Sequence, residues 1–369
     1  MHKKTLLWAA AAITVAIAAV ACGENIYRSQ RVPGENGTFD KLTEEANETV
    51  VPPAWETIDT RNGVAKRIIN WKLAQRIDIS PDGNIAYLAI RDGYTNIFVR
   101  NLKNNGATTQ RGNRQNVNDV AYSPNGEHIC FSERNSDGTS YLFIINAKQG
   151  SQIRQISPSN MYDCQPCYSK DGKFIFFARY VGGSAAIWSY ELSTGNFTML
   201  CDGSNPRPIN NEEFVYTKEN QWGQKEIWKH NFKQGFDSNL KSERGRSFTT
   251  GSVSPDGKWL LFVSTSASDT KVKDNLDIYY MRSDGTGGAT QITFHEGHDC
   301  SPVWSPDGKF IYFLSQRGTE HGEYNIWRTN FAEQENLIDD QYQYTPQQEQ
   351  PKQEENNNGG IKLPKRRQR

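Results

Sequence analysis

Six times along this chain, at a spacing of roughly 40 to 50 residues, a tight polar turn leads into a short apolar strand and then into an X-Ile/Leu-aromatic step. A period in that range means stacked copies of one small unit, none of which can bury its faces alone. The turns read Ser80-Pro81-Asp82-Gly83, Ser123-Pro124-Asn125-Gly126, Ser169-Lys170-Asp171-Gly172, Ser254-Pro255-Asp256-Gly257 and Ser305-Pro306-Asp307-Gly308, with a degraded version at Ile209-Asn210-Asn211-Glu212. Proline presets φ, Asp or Asn bonds its own backbone, and glycine takes the positive-φ position, so each turn reverses the chain into a hairpin.

The runs after the turns, such as Ile85-Ala86-Tyr87-Leu88, Phe174-Ile175-Phe176-Phe177 and Phe310-Ile311-Tyr312-Phe313, are rich in β-formers and too short for a typical helix. They read as strands buried on both faces. A third strand follows in each unit, from Asn96-Ile97-Phe98 in the first to Asn325-Ile326-Trp327 in the last, and then a short fourth, as in Thr290-Gln291-Ile292. Four strands in each of six units specify an all-β chain, a six-bladed β-propeller of four-stranded antiparallel blades. The last unit ends at Phe331 without a fourth strand, while Lys66-Arg67-Ile68-Ile69 stands just ahead of the first. The N-terminal strand is therefore expected to close the last blade.

The repeat occupies 64–335 as one domain. Ahead of it, Met1-His2-Lys3-Lys4 is basic, Leu6 to Val20 is apolar, and Ala19-Val20-Ala21 places small residues directly before Cys22. The apolar run is short for a membrane span and has the flanks of a signal peptide. It resembles a bacterial lipoprotein signal over 1–21, which implies that Cys22 becomes the lipidated first residue and that the chain is anchored to a membrane. An ordinary secretory signal with an incidental cysteine is the other reading, and both export the chain. Residues 22–63 are polar and aperiodic, as a flexible tether would be. Residues 336–369, rich in Gln, Asn, Glu and Pro with a basic end, carry too few apolar groups to offset ordering entropy and read as disordered.

Lysine plus arginine total 42 and so do aspartate plus glutamate, a balance that gives no overall field for nucleic acid. Five cysteines remain beyond Cys22, and Cys164-Gln165-Pro166-Cys167 has redox-motif spacing. Aligning the units, however, places that pair on an inner strand. Residues three apart there lie about 10 Å from each other on opposite faces, beyond disulfide reach. These cysteines read as small buried fillers. The cluster His295-Glu296-Gly297-His298-Asp299 lacks the i, i+4 helical spacing of a zinc protease, and no fourth ligand can be placed, which leaves metal binding open.

The segment Pro302-Val303-Trp304-Ser305-Pro306-Asp307-Gly308, with its counterparts in the other units, resembles the repeat of TolB-like propellers over about three quarters of the chain. That resemblance implies the six-bladed fold and a bacterial envelope setting. It does not carry over partner-binding residues, because no α/β domain precedes the blades and the lipoprotein-like start implies a lipid anchor, in the outer membrane on either its periplasmic or its surface side. The alignment puts Asn118, Asp119, Asp163, Asp202, His298 and Asp299 near the start of inner strands, at the channel mouth. Opposed carboxylates there suit a basic peptide end or a cation, and equally suit backbone donors of turns. The expectation is a monomeric, non-catalytic envelope lipoprotein without a cofactor, whose propeller binds or scaffolds a protein or peptide. The alternative is a polysaccharide-binding or polysaccharide-cleaving propeller, with Trp222, Tyr180 or Tyr94 stacking sugars beside a site near His298.

Overall fold

A computed structural model describes residues 56–332, apart from 62, 70–74, 104–105, 159, 266–274 and 319–322. Cys22, the signal segment, most of the proposed tether, His321 and the C-terminal tail lie outside the described residues. The chain opens with β1 (Glu56–Thr60) and β2 (Gly63–Ile69). Blade one follows with β3 (Gln75–Ile79), β4 (Asn84–Arg91), β5 (Tyr94–Asn101) and β6 (Thr109–Gln110). Blade two holds β7 (Val117–Tyr122), β8 (His128–Arg134), β9 (Ser140–Asn146) and β10 (Arg154–Gln155). Blade three holds β11 (Tyr162–Tyr168), β12 (Phe174–Val181), β13 (Ser184–Glu191) and β14 (Phe197–Asp202). Blade four holds β15 (Ser204–Pro208), β16 (Glu213–Glu219), β17 (Lys225–Asn231) and β18 (Phe236–Lys241). Blade five holds β19 (Phe248–Val253), β20 (Trp259–Thr265), β21 (Leu276–Arg282) and β22 (Thr290–Gln291), and blade six β23 (Asp299–Trp304), β24 (Phe310–Ser315) and β25 (Asn325–Asn330).

The fourth strand of blade six comes from the other end of the chain. Strand β2 runs antiparallel to β25, with Lys66 opposite Arg328 and Arg67 opposite Trp327. Strand β1 then pairs with β2, so this blade has five strands where four were expected. The sequence reading that took 22–63 as tether is corrected over its last residues. Thr57, Ile58 and Thr60 are β-branched, and Thr60 is held by a bridge to Thr293 and a 2.9 Å hydrogen bond between its Oγ1 and that of Thr329.

Five of the six turns close by the same local chemistry. Ser80 Oγ donates to Asp82 Oδ1 at 2.5 Å and accepts from Asn84 N at 2.9 Å, and Ser305 repeats this with Asp307 and Phe310 at 2.6 and 2.9 Å. The degraded turn of blade four survives because Asn210 Oδ1 accepts from Glu212 N and Glu213 N at 2.8 and 2.9 Å, an Asx turn in place of the serine bridge. Second strands are buried on both faces, as in Ala86–Ala89, and six apolar clusters form, one between each pair of neighbouring blades. Ile69 of β2 packs with Ile77 and Tyr87 of blade one and Tyr312 of blade six, which joins the two ends of the ring.

The X-Ile-aromatic step has a packing role of its own. In blades two to six its ring carries a cation: Arg114 over Phe143 at 4.6 Å, Arg179 over Trp188 at 4.7 Å, Lys218 over Trp228 at 5.0 Å, Arg246 over Tyr279 at 5.3 Å and Arg317 over Trp327 at 5.8 Å.

Candidate binding face and central channel

The inner strands β3, β7, β11, β15, β19 and β23 each break register at the same place, a β-bulge between paired positions such as Cys164 and Cys167 or Cys300 and Val303. Three of the bulged residues, Gln165, Asn205 and Ser301, are left-handed with φ of 55°, 54° and 49°. The bulges turn polar groups along the ring, and these link one blade to the next. Arg76 Nε pairs with Asp119 Oδ1 at 3.1 Å, and Asp119 Oδ2 accepts from Gln165 N at 3.0 Å. Gln165 Oε1 accepts from Asn205 N at 2.8 Å, and Asn205 Nδ2 donates to the Thr250 carbonyl at 2.5 Å. This belt joins blades one to five.

The sequence candidates separate accordingly. Asn118 sits half-buried in the bulge of β7. Asp119 is buried as the central link of the belt and also accepts from Ser132 Oγ at 2.9 Å. Asp163 is fully buried under Arg179, which donates Nε and Nη2 to its two oxygens at 2.7 and 2.8 Å. Asp299 is fully buried against Arg317 Nη1 at 2.5 Å. Burial raises both carboxyls, and the facing guanidinium pulls each back down. The expectation of opposed carboxylates open at the channel mouth is corrected for these three, because each is already matched by a cation inside the fold. Asp202 stands two residues ahead of the inner strand β15, as the alignment put it, and also ends the outer strand β14, exposed and opposite Ala186.

His298 stands where the alignment put it, ahead of β23, with its amide donating to Gln316 Oε1 at 3.0 Å, while His295 Nδ1 accepts from Gly297 N at 2.9 Å. Among the described residues, no third His, Cys, Asp or Glu joins them within metal-ligand reach. Cys164 and Cys167 straddle the β11 bulge, opposite Ala178 and Phe176, and all five described cysteines are free thiols. Burial pushes the Cys167 and Cys300 thiols up to about 12, which keeps them protonated and poorly nucleophilic at neutral pH.

A cavity of about 420 Å³ fills the turn end of the channel, lined from all six blades, with Asp78, Tyr122, Lys170, Arg207 and Trp304 among its walls. Asp78 Oδ2 accepts from Tyr122 N at 2.7 Å, linking blades one and two, and burial raises its carboxyl to about 6 against the pull of that amide and of Arg207 and Lys170. Between about pH 4 and that value the folded chain holds a proton that the unfolded chain has lost, so this group's contribution to stability falls as pH rises through the window. Asp78 keeps part of its surface toward the channel, which limits the cost of its ionised form. Asp78→Asn retains the acceptor for Tyr122 and is expected to stabilise the protein by about 1 kcal/mol at pH 8, with the gain vanishing below about pH 4. Urea unfolding at the two pH values measures this, and an Asn variant weaker than wild type at pH 8 would refute it.

On the face where the inner strands begin, the hairpins between second and third strands carry large apolar tips. Asp92 and Gly93, with φ of 54° and 81°, make a two-residue turn that leads into Tyr94, which is 42% exposed. Gly182 and Gly183 do the same after Val181, which is 66% exposed. In blade four, Asn220 Oδ1 accepts from Trp222 N at 3.0 Å and fixes the turn that leaves Trp222 74% exposed. The equivalent hairpins of three blades thus raise Tyr94, Val181 and Trp222 on one face. Tyr180 lies half-buried beneath, edge-on to Tyr162 with ring centroids 5.8 Å apart.

The comparisons with known proteins match this architecture. An uncharacterized protein of Agrobacterium fabrum is 26% identical over 204 residues, 53% of this chain and 69% of that protein. An uncharacterized peptidase of Bacillus subtilis, YuxL, is 23% identical over 52% of this chain but only 28% of its own length. Among solved structures, a putative TolB from Agrobacterium tumefaciens superimposes with a TM-score of 0.55 at 18% identity, covering 75% of this chain and 97% of the other. An oligogalacturonate lyase in complex with manganese gives 0.50 at 15%, over 75% and 96%. At these identities the superpositions show a shared fold. A family model described as the TolB beta propeller domain matches residues 77–273, more than half of the 369 in the sequence, and the chain belongs to that family.

Proposed function

We propose that this propeller is a non-catalytic binding module of a bacterial envelope, which holds a protein or peptide segment on the face that carries Tyr94, Val181 and Trp222. The observation behind this reading is the placement of three large apolar side chains at the tips of equivalent hairpins, on rigid strands and clear of the core. Exposed aromatics on a preformed scaffold are what interface hot spots are built from. The acidic residues at the start of the inner strands support it from the other side, since Asp119, Asp163 and Asp299 are spent on Arg76, Arg179 and Arg317. The sugar-cleaving alternative gains no such support, because the carboxylate beside His298 is paired with Arg317. Lipidation of Cys22, with residues 22–55 as a tether, would hold the face near a membrane and within reach of envelope partners.

Tyr94→Ser, Val181→Ser and Trp222→Ser combined test the proposal. In crosslinked envelopes, recovery of the partner that wild type captures is expected to fall by at least about tenfold. The melting temperature should stay within about 2 °C, since exposed tips contribute little to stability. Equal recovery by the triple variant would refute the assignment of this face.

A further inference from the structure

We propose a binding site for a zinc-class divalent cation at the outer junction of blades three and four, formed by Cys201 of β14, His230 of β17 and Asp237 of β18. One ligand atom from each lies within 4.8 Å of the others, the one such grouping of His, Cys, Asp and Glu among the described residues. Pairing places them there. Cys201 lies opposite Ile187 on the outer edge of blade three, and His230 lies opposite both Phe214 and Asp237 in blade four, on the sheet face that packs against blade three. A cross-strand pair of blade four and a cysteine of blade three therefore meet at one interblade seam.

Sulfur, imidazole nitrogen and carboxylate oxygen are the ligand set of a borderline-soft ion, with bonds of about 2.3, 2.0 and 2.0 Å. His230 Nδ1 and Asp237 Oδ1 stand 2.7 Å apart, against about 3.3 Å for two such ligands on a tetrahedral ion, so a small opening of this pair admits the cation. His230 is buried and its ring is held against Phe214 with centroids 5.1 Å apart, whereas the Asp237 side chain is partly exposed and gives an entry path. The fully buried Tyr216 borders the site beside Cys201 and Asp237. Gly203 permits the close approach of the two blades, since at its φ of 145° a Cβ would stand 2.5 Å from the Tyr216 ring.

Burial raises the Cys201 thiol, so the metal-free site holds S–H rather than thiolate. Binding forms the metal–sulfur bond as the Cys201 thiol proton leaves to solvent, and His230 supplies a nitrogen lone pair.

Cobalt added to the metal-stripped, reduced full-length protein is the probe. One equivalent is expected to give a near-ultraviolet thiolate-to-cobalt charge-transfer band, which zinc displaces and Cys201→Ser abolishes. Saturating zinc should raise the melting temperature by about 4 °C in wild type and not in that variant. Asp237→Asn, a change at an exposed position, should weaken cobalt binding by at least about tenfold and serves if Cys201→Ser does not fold. No band at stoichiometric cobalt, a band that persists in Cys201→Ser, or unchanged affinity in Asp237→Asn would overturn the proposal.

Discussion

Replacing Arg317 by methionine is expected to cost about 3–5 kcal/mol of unfolding free energy at neutral pH, more than most single changes in a chain of this size. Arg317 and Asp299 are both fully buried, and the guanidinium also donates to Ser315 Oγ at 2.9 Å while it covers Phe313 and Trp327 at 5.2 and 5.8 Å. The methionine fills much of the space but leaves Asp299 as a buried carboxylate without its cation. Burial already raises that carboxyl, and Arg317 is the main group that opposes the rise, so the variant's Asp299 should take up a proton more readily still. Its deficit should therefore shrink as pH falls and be largest at high pH. Adding Asp299→Leu removes the orphaned charge and is expected to recover part of the loss, since a well-packed apolar pair can replace a buried ion pair. Urea titrations of the two variants at neutral and mildly acidic pH measure this. A cost under about 1 kcal/mol, or one that grows on acidification, would show that the pair is not what holds the entry to blade six.

The blades were legible in the sequence because their signals are local. A serine, an aspartate or asparagine and a glycine within four residues close five of the six turns, and the apolar, β-branched and aromatic run that follows favours a strand buried on both sides. The aromatic of the X-Ile-aromatic step was equally visible, yet its partner was not. The cation over it comes from before the inner strand in Arg114 and Arg246, from the second strand in Arg179 and Lys218, and from beyond it in Arg317. No fixed spacing marks such a cation, so aligning the units could not reveal it.

The same limit explains how the candidate site was misread in part. Alignment brought Asp119, Asp163 and Asp299 to the start of inner strands, where they are, but charge partners at sequence separations of 43, 16 and 18 residues turned open carboxylates into internal pairs. That Asp202 also ends the outer strand β14 was not legible, because only Gly203 separates it from β15 and no loop marks the boundary. Strand β1 escaped notice because five residues at the end of the proposed tether are too few to show a period. The Cys201, His230 and Asp237 grouping had no signal at all, since two blades must pack before it exists.

All of this rests on one closed ring, because only a closed ring sets the hairpin tips of blades one, three and four on a common face around one channel. Strand β2 is the closing piece. It pairs with β25 along Lys66–Ile69, places Ile69 between blades six and one, and buries Ala65 among Trp259, Trp304 and Trp327. Deleting residues 56–69 would uncover the β25 edge and open apolar clusters on both sides of blade six. The direct measurement is thermal unfolding of that deletion beside the full chain. The ring predicts one cooperative transition for the full chain, and for the deletion a loss of cooperativity with a melting temperature lower by at least about 10 °C. A deletion that melts within about 2 °C of the full chain, with the same sharpness, would contradict closure by β2 and with it the shared face.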